Sequence, residues 1–235
     1  MSGTVYFISE QAVVNRAMSD PTSKAQLNIE RQIYDCLGLH PCITALLRSQ
    51  QNMVILERLQ HTLRHRLHEL RGRDERPASA NKARWALQIA EGLQYIHSRG
   101  VKQVDIGTYN VLLDWQDNAK LSDFAGSSLD GSEPTVAPSA HATHPRLSVS
   151  NPSVHSELFA LGSLLYEMET NYQAFHDKKD GELEELFGSG QFPPTADLLL
   201  GDVMRRCWTF AYSDASEVIT DIQLIQDRVR DGSAR

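Results

Sequence analysis

Three oxygen-bearing side chains with fixed spacing lie near the middle of the chain and constrain its fold most strongly. Asp105 is followed by Asn110 five positions later and by Asp123 thirteen positions after that. Between the last two, the apolar runs Val111–Leu113 and Ala119–Leu121 predict the two short strands of a hairpin, which would bring both loops together. Carboxylate and amide oxygens are hard ligands that suit Mg²⁺, and a carboxylate can also accept a proton from a hydroxyl group. The flanking strands therefore favour one shared site of oxygen donors over simple hydrogen bonding within turns.

The sequence around these residues resembles two motifs of the eukaryotic protein kinase family. The segment Gly100–Asp114 is similar to the catalytic loop, and Lys120–Gly126 is similar to the metal-binding Asp-Phe-Gly segment. In that family the first Asp accepts the proton of the substrate hydroxyl, and the Asn and the second Asp hold magnesium ions at the nucleotide phosphates. The resemblance implies that Asp105 is catalytic, that Asn110 and Asp123 bind Mg²⁺, and that ATP and Mg²⁺ are the cofactors.

The resemblance continues along most of the chain in the order of the family's elements. It implies an α+β class and a bilobal, protein-kinase-like fold. Residues 1–57 would form a small, incomplete β-rich N-lobe, and residues 58–235 a larger helical C-lobe, together one protein kinase domain. Ala83–Ser98 and Ser156–Gly162 are similar to two long helices of the C-lobe, and Arg206–Trp208 to a late one.

The same resemblance assigns residues to a nucleotide site. Asn15 lies where the family's third strand carries a phosphate-binding Lys, and Glu30 lies where a helix carries the partner Glu of that Lys. Met53–Glu57 is similar to the strand that enters the hinge, in which Leu56 corresponds to the gatekeeper and Glu57 to the first hinge residue. The complete set that the resemblance implies for nucleotide binding is Gly3, Val5, Asn15, Glu30, Leu56, Glu57, Leu59 and Leu112.

Several positions depart from the family pattern. Asn15 is neutral and short, so we expect it neither to offer an ammonium group to the phosphates nor to pair with Glu30. Loss of one such donor typically lowers a rate by about 10²–10³. Gly3–Val5 supplies only the last Gly-x-Val of the glycine-rich loop. Gln103–Val104 replaces the family's His-Arg, and Gly107 stands where serine/threonine kinases carry a helper Lys.

Two further features refine the comparison. The loop Gln103–Gly107 and the segment Asp123–Ala125 resemble a divergent kinase subgroup that is abundant in fungal genomes. Glu157 retains a carboxylate at the start of a predicted helix, where the family has Asp, and we expect it to accept backbone N–H bonds from the catalytic loop.

Three functions are compatible with these residues. The leading interpretation is an ATP- and Mg²⁺-dependent protein kinase of serine/threonine type, with activity weakened at Asn15. The second is a pseudokinase, in which the same fold is a module that binds a protein partner. The third is a small-molecule phosphotransferase similar to aminoglycoside or choline kinases, which share the Asp-x4-Asn spacing and a later Asp. The expected partners are ATP and a protein substrate or protein partner.

Composition adds weaker constraints. The chain has 235 residues, 41% of them hydrophobic, which is enough for a sizeable core. A net charge of −7 argues against a dedicated nucleic-acid binder. The three cysteines form no metal-ligand pairs, which predicts a reducing compartment. Neither a signal peptide nor a membrane span is predicted, so we expect a soluble protein of the cytoplasm or nucleus.

Overall fold

A four-stranded antiparallel sheet forms the N-terminal part of the computed structural model, which describes residues 3–232. The strands are β1 (Gly3–Phe7), β2 (Ala12–Ala17), β3 (Leu46–Gln50) and β4 (Met53–Glu57), in the order β1-β2-β4-β3. Helix α1 (Pro21–Leu37) follows β2 and packs against the sheet. Proline in its first turn suits a helix start, because the missing N–H would have no intrahelical partner there.

Helices dominate the C-terminal part. Helix α4 is buried on nearly every side, as expected for a helix whose sequence is apolar all round. Gly162 of α4 allows close packing against α6, because an added Cβ would lie 2.9 Å from Cys207 Cβ. These helices are α2 (Leu63–Gly72), α3 (Ser79–Ser98), α4 (Val154–Thr170), α5 (Asp180–Gly188), α6 (Gly201–Trp208) and α7 (Ala215–Arg230).

Two small sheets follow the four-stranded sheet along the chain. In the first, Val111 pairs with Leu121, and Ser122 N–H donates to the Asn110 carbonyl at 2.9 Å. This pairing places Asn110 and Asp123 at the same end of one hairpin. The first sheet contains β5 (His61–Thr62), β7 (Val111–Leu113) and β8 (Ala119–Leu121), and the second contains β6 (Val101–Lys102) and β9 (Ser128–Leu129). A 3-10 turn follows at Ala140–Ala142.

The predicted α+β architecture is confirmed, with a small sheet-rich N-terminal region and a larger helical C-terminal region. The predicted hairpin is present as β7 and β8. The predicted strand Met53–Glu57 has the bounds of β4, and the segments expected to be helical lie in α3, α4 and α6. Within residues 3–232, no helix combines the length and apolar character needed to cross a membrane.

Candidate active site

The three residues predicted to carry the chemistry line one cavity. Asp105, Asn110 and Asp123 contribute their side chains from the two loops joined by the β7–β8 hairpin. Gln26 of α1 and Val136 also line this cavity. The sequence prediction that these polar groups converge therefore holds in the structure.

Asn110 is oriented by Asp105. Its side-chain Nδ2 donates to the Asp105 carbonyl at 2.8 Å and makes a longer contact of 3.4 Å with Asp105 Oδ2. Because the amide nitrogen is directed to these acceptors, Asn110 Oδ1 is left as an oxygen that can bind a cation. The side chain is 9% exposed, so its orientation is fixed by protein contacts more than by solvent.

Asp123 sits in a constrained loop beside a second carboxylate. Its backbone has a φ of +59°, and its Oδ1 accepts a hydrogen bond from Ala125 N at 3.3 Å. Although the residue is exposed to the cavity, the surrounding protein partly removes its carboxyl group from water, which raises its pKa. The negative charge of Asp105 raises it further. The pKa of Asp105 is also raised by burial, against the opposing effect of its hydrogen bonds. Two neighbouring carboxylates of this kind favour a bound cation.

The donor set suits Mg²⁺ in combination with phosphates. Mg²⁺ typically takes one or two protein carboxylates and completes its coordination with water and substrate phosphates. Among residues 3–232, no cluster of three or more His, Cys, Asp or Glu side chains is arranged as a metal site of its own. The oxygen donors of Asn110 and Asp123 are of the chemical type that Mg²⁺ takes from proteins.

The backbone before Asp105 is held by Glu157, as the sequence predicts. Val104 N–H donates to Glu157 Oε1 at 2.6 Å, and Glu157 Oε2 lies 2.6 Å from His97 Nε2. Val104 has a φ of +71°, a conformation that costs energy for a β-branched residue and that clusters at functional sites. Gln103 Nε2 adds a bond of 2.7 Å to the Ser122 carbonyl, which ties the two loops together.

Asn15 and Glu30 form a pair, which corrects one expectation. We expected the Asn15 side chain to be too short to pair with Glu30, but its Nδ2 donates to Glu30 Oε2 at 2.9 Å. Strand β2 and helix α1 approach closely enough for a short amide to bridge them. Burial raises the pKa of Glu30 to about 8, and the Asp123 charge adds to the shift, whereas the Asn15 bond opposes it. Among the described residues Asn15 Oδ1 is buried without a hydrogen-bond partner.

The remaining residues predicted to bind nucleotide are distributed along the sheet and the hairpin. Leu56 and Leu59 are buried, at 6% and 9% exposure, whereas Val5 on the edge strand β1 is 59% exposed. Gly3 pairs with Ala17, and Leu112 is half-buried in β7.

Glu57 lies at the end of β4, and its carboxylate accepts from Ala45 N at 2.8 Å and from Lys120 Nζ at 2.6 Å. The Glu57 side chain is therefore engaged in the protein, and its backbone N–H donates to the Ala45 carbonyl at 2.9 Å.

Tyr109 is a residue of the site that the sequence analysis did not identify. Its hydroxyl donates to Asp105 Oδ1, and the Arg64 guanidinium lies 4.8 Å from the centre of its ring. Burial and the Asp105 carboxylate both raise the pKa of Tyr109, so the phenol stays protonated. Its position directly before Asn110 was visible in the sequence, but no motif pointed to a role for it.

Comparison with known proteins agrees with this geometry. The family model of the protein kinase domain matches residues 11–213. Among curated relatives, the chain is 26% identical over 180 residues to CBL-interacting serine/threonine-protein kinase 8 of Arabidopsis thaliana, covering 72% of this chain and 38% of that protein. It is 27% identical over 149 residues to cAMP-dependent protein kinase type 3 of Saccharomyces cerevisiae, covering 59% of this chain and 35% of that protein.

A third relative is the serine/threonine-protein kinase Nek4 of Mus musculus, 30% identical over 121 residues, which cover 47% of this chain and 14% of that protein. The chain thus spans well under half the length of these relatives. Because the family model covers most of the sequence, the chain belongs to the protein kinase domain family. This result favours a protein kinase over a small-molecule phosphotransferase. The fungal subgroup stays a prediction.

Proposed function

We propose that this chain transfers a phosphoryl group from ATP to hydroxyl groups of a protein substrate, in a Mg²⁺-dependent reaction of serine/threonine type. The observation that carries the proposal is the convergence of Asp105, Asn110 and Asp123 on one cavity. The serine/threonine kinases among the relatives support the type of acceptor.

Asp105 would act as the catalytic carboxylate that receives the proton of the acceptor hydroxyl. Asn110 Oδ1 and the Asp123 carboxylate would hold Mg²⁺, since both are oxygen donors at the cavity wall. When bound, Mg²⁺ supplies positive charge that offsets the negative charge of the phosphates. Glu157 would keep the catalytic loop in place through its bond to Val104 N–H.

The nucleotide would lie between a β-rich N-lobe (residues 1–57) and a helical C-lobe (residues 58–235). The apolar side chains Leu56, Leu59 and Leu112 suit contacts with a base, and Gly3 and Val5 lie on the edge strand that would cover the phosphates. Asn15 offers an amide where the family has an ammonium group, and Glu30 holds that amide in place. This substitution removes one positive charge from the phosphate site, so we expect slow transfer.

Nucleotide binding tests the proposal through thermal stability, because a ligand that binds the folded state raises the apparent Tm. We expect ATP to raise the Tm of the wild type in the presence of Mg²⁺ and to have a much smaller effect with a chelator. Asp123→Asn should lose the Mg²⁺-dependent part of the shift. Asp177→Asn, which changes an exposed carboxylate of the C-terminal part, is the matched control and should keep it. An equal shift in Asp123→Asn and the wild type would contradict the site.

A pseudokinase is the second candidate function. The observation that favours it is the Asn15–Glu30 pair, in which a neutral amide takes the place of the ammonium group. The same cavity would then bind nucleotide, or leave a protein partner as the only ligand, without transfer. Nucleotide-dependent stabilisation combined with undetectable transfer would support this function over the first.

The proposal also includes a cellular compartment and a protein ligand. We propose a reducing compartment, the cytoplasm or nucleus, in which the thiols of Cys36, Cys42 and Cys207 would stay reduced. We propose ATP and one protein, as substrate or binding partner, as the ligands of this chain.

A further inference from the structure

A hydrogen-bonded unit centred on Tyr109 occupies one side of the catalytic carboxylate. The Tyr109 hydroxyl donates to Asp105 Oδ1, whereas within residues 3–232 Asp105 Oδ2 receives only the long contact of 3.4 Å from Asn110 Nδ2. The two oxygens of Asp105 are therefore not equivalent. One is held by a neutral donor of the protein, and the other has most of its hydrogen-bonding capacity free.

The Tyr109 ring is held in place by packing against Gly107 and by the Arg64 side chain. A Cβ added at Gly107 would lie 2.7 Å from Tyr109 Cζ, so the ring fills the space that any larger residue at position 107 would need. Arg64 lies over the ring and forms an ion pair of 3.2 Å with Glu167 of α4. The backbone N–H of Arg64 also donates to the Thr108 carbonyl at 2.9 Å, which fixes the same loop to helix α2.

We propose that Tyr109 is a positioning residue for Asp105, which holds Oδ1 so that Oδ2 is the oxygen presented to the acceptor hydroxyl. The inference rests on the proposed function, since it concerns the same carboxylate. It also accounts for Gly107, because the absence of a side chain there makes room for the phenol. The Tyr109 hydroxyl thus donates a hydrogen bond to the catalytic carboxylate, and the Arg64 guanidinium holds the Tyr109 ring in place.

Tyr109→Phe tests the inference with little change in shape, because the ring, the Arg64 contact and the packing on Gly107 are kept. We expect kcat to fall by roughly 10–100-fold, the size typical when an outer hydrogen bond that orients a working group is removed, with the KM for ATP unchanged. Tyr95→Phe is the matched control. Tyr95 also lies under an arginine, Arg99, and donates its hydroxyl to the Leu37 carbonyl, away from the cavity. An unchanged kcat in Tyr109→Phe, or an equal loss in Tyr95→Phe, would overturn the inference.

A second measurement separates this inference from the proposed function. In protein labelled with ¹³C at the tyrosine Cζ, the Tyr109 resonance is assigned by its absence in Tyr109→Phe. Asp105→Asn should move that resonance and leave the Tyr95 resonance in place, because only Tyr109 loses a carboxylate acceptor. An unmoved Tyr109 resonance would overturn the inference even where transfer is observed. If neither the wild type nor Asn15→Lys transfers phosphate, the proposed function fails, and the resonance alone decides whether Tyr109 holds Asp105.

Discussion

Replacing Asn15 by Lys should change the protonation of Glu30 and, with it, the pH dependence of stability. The pKa of Glu30 is raised from 4.5 to about 8, first by burial and then by the charge of Asp123. Between these two values the folded protein keeps a proton that the unfolded chain has released. The stability contributed by this proton is complete below about pH 4.5 and is lost as the pH rises through about 8.

The size of the effect follows from the linkage between proton binding and folding. One proton held only by the folded state lowers the free energy of unfolding by about 1.4 kcal/mol for each unit of rising pH. From about pH 5 to about pH 8, Glu30 should therefore remove roughly 3 kcal/mol from the stability of the wild type. An ammonium group on residue 15 would come within reach of Glu30 Oε2, now 2.9 Å from the Asn15 amide nitrogen. Because an opposite charge lowers the pKa of a carboxyl group, Asn15→Lys should lose most of this slope.

Urea unfolding across this pH range measures the slope directly. Glu30→Gln is the matched control, since Gln has a similar shape and does not ionise. Compared with the wild type, both Asn15→Lys and Glu30→Gln should show a pH dependence flatter by about 1 kcal/mol per pH unit. A wild-type slope in Glu30→Gln would refute the reasoning, because another group would then carry the titration. A wild-type slope in Asn15→Lys alone would show that the ammonium group does not reach Glu30.

Three further predictions concern the same site and its supports. Glu157→Ala should lower the free energy of unfolding by about 3 kcal/mol, because Val104 N–H and His97 Nε2 lose their acceptor. Glu157→Gln should cost clearly less in the same urea unfolding experiment. Equal losses in the two variants would argue against these bonds. Gly126→Ala should cost about 2 kcal/mol, because φ is +83° and the added Cβ would lie 2.6 Å from a side-chain methyl group. Gly190 has a φ of +74° and open space around it, so Gly190→Ala should lower the free energy of unfolding by only about 1 kcal/mol. A larger loss in Gly190→Ala than in Gly126→Ala would contradict this prediction. Finally, Asn15→Lys should raise the initial rate of transfer by roughly 10²–10³ if the missing ammonium group is the chief deficit, whereas an unchanged rate would place the deficit elsewhere.

Local sequence patterns were sufficient for the elements that position the site. The strand β4 and the β7–β8 hairpin are short apolar runs bounded by turn residues, and such runs have little choice of structure. The carboxylate of Glu157 was expected to hold the catalytic loop, and the bond to Val104 N–H is present. The residues that decide the hairpin lie close together in sequence, whereas the bond between Val104 and Glu157, which are 53 positions apart, was expected from the family resemblance.

The interactions that could not be predicted from the sequence depend on how closely separate helices, strands and loops pack against one another. Whether a short amide at residue 15 reaches Glu30 is decided by how closely strand β2 packs on helix α1, which no spacing within the chain encodes. The bond from Tyr109 to Asp105 depends on a ring that folds over Gly107 and on support from Arg64, which belongs to a distant helix. Side-chain contacts of this kind become visible only when the elements are packed.

Transfer of the labelled γ-phosphate of ATP tests the central claim most directly. The acceptors would be peptide libraries that contain Ser, Thr or Tyr as the only hydroxyl residue, with wild type and Asp105→Asn compared in the presence of Mg²⁺. We predict slow labelling of the Ser and Thr libraries by the wild type, and a loss of about 10²-fold or more in Asp105→Asn with nucleotide-dependent stabilisation retained. Equal labelling by the two proteins, or none by the wild type and by Asn15→Lys while both bind nucleotide, would contradict the claim that this cavity catalyses phosphoryl transfer.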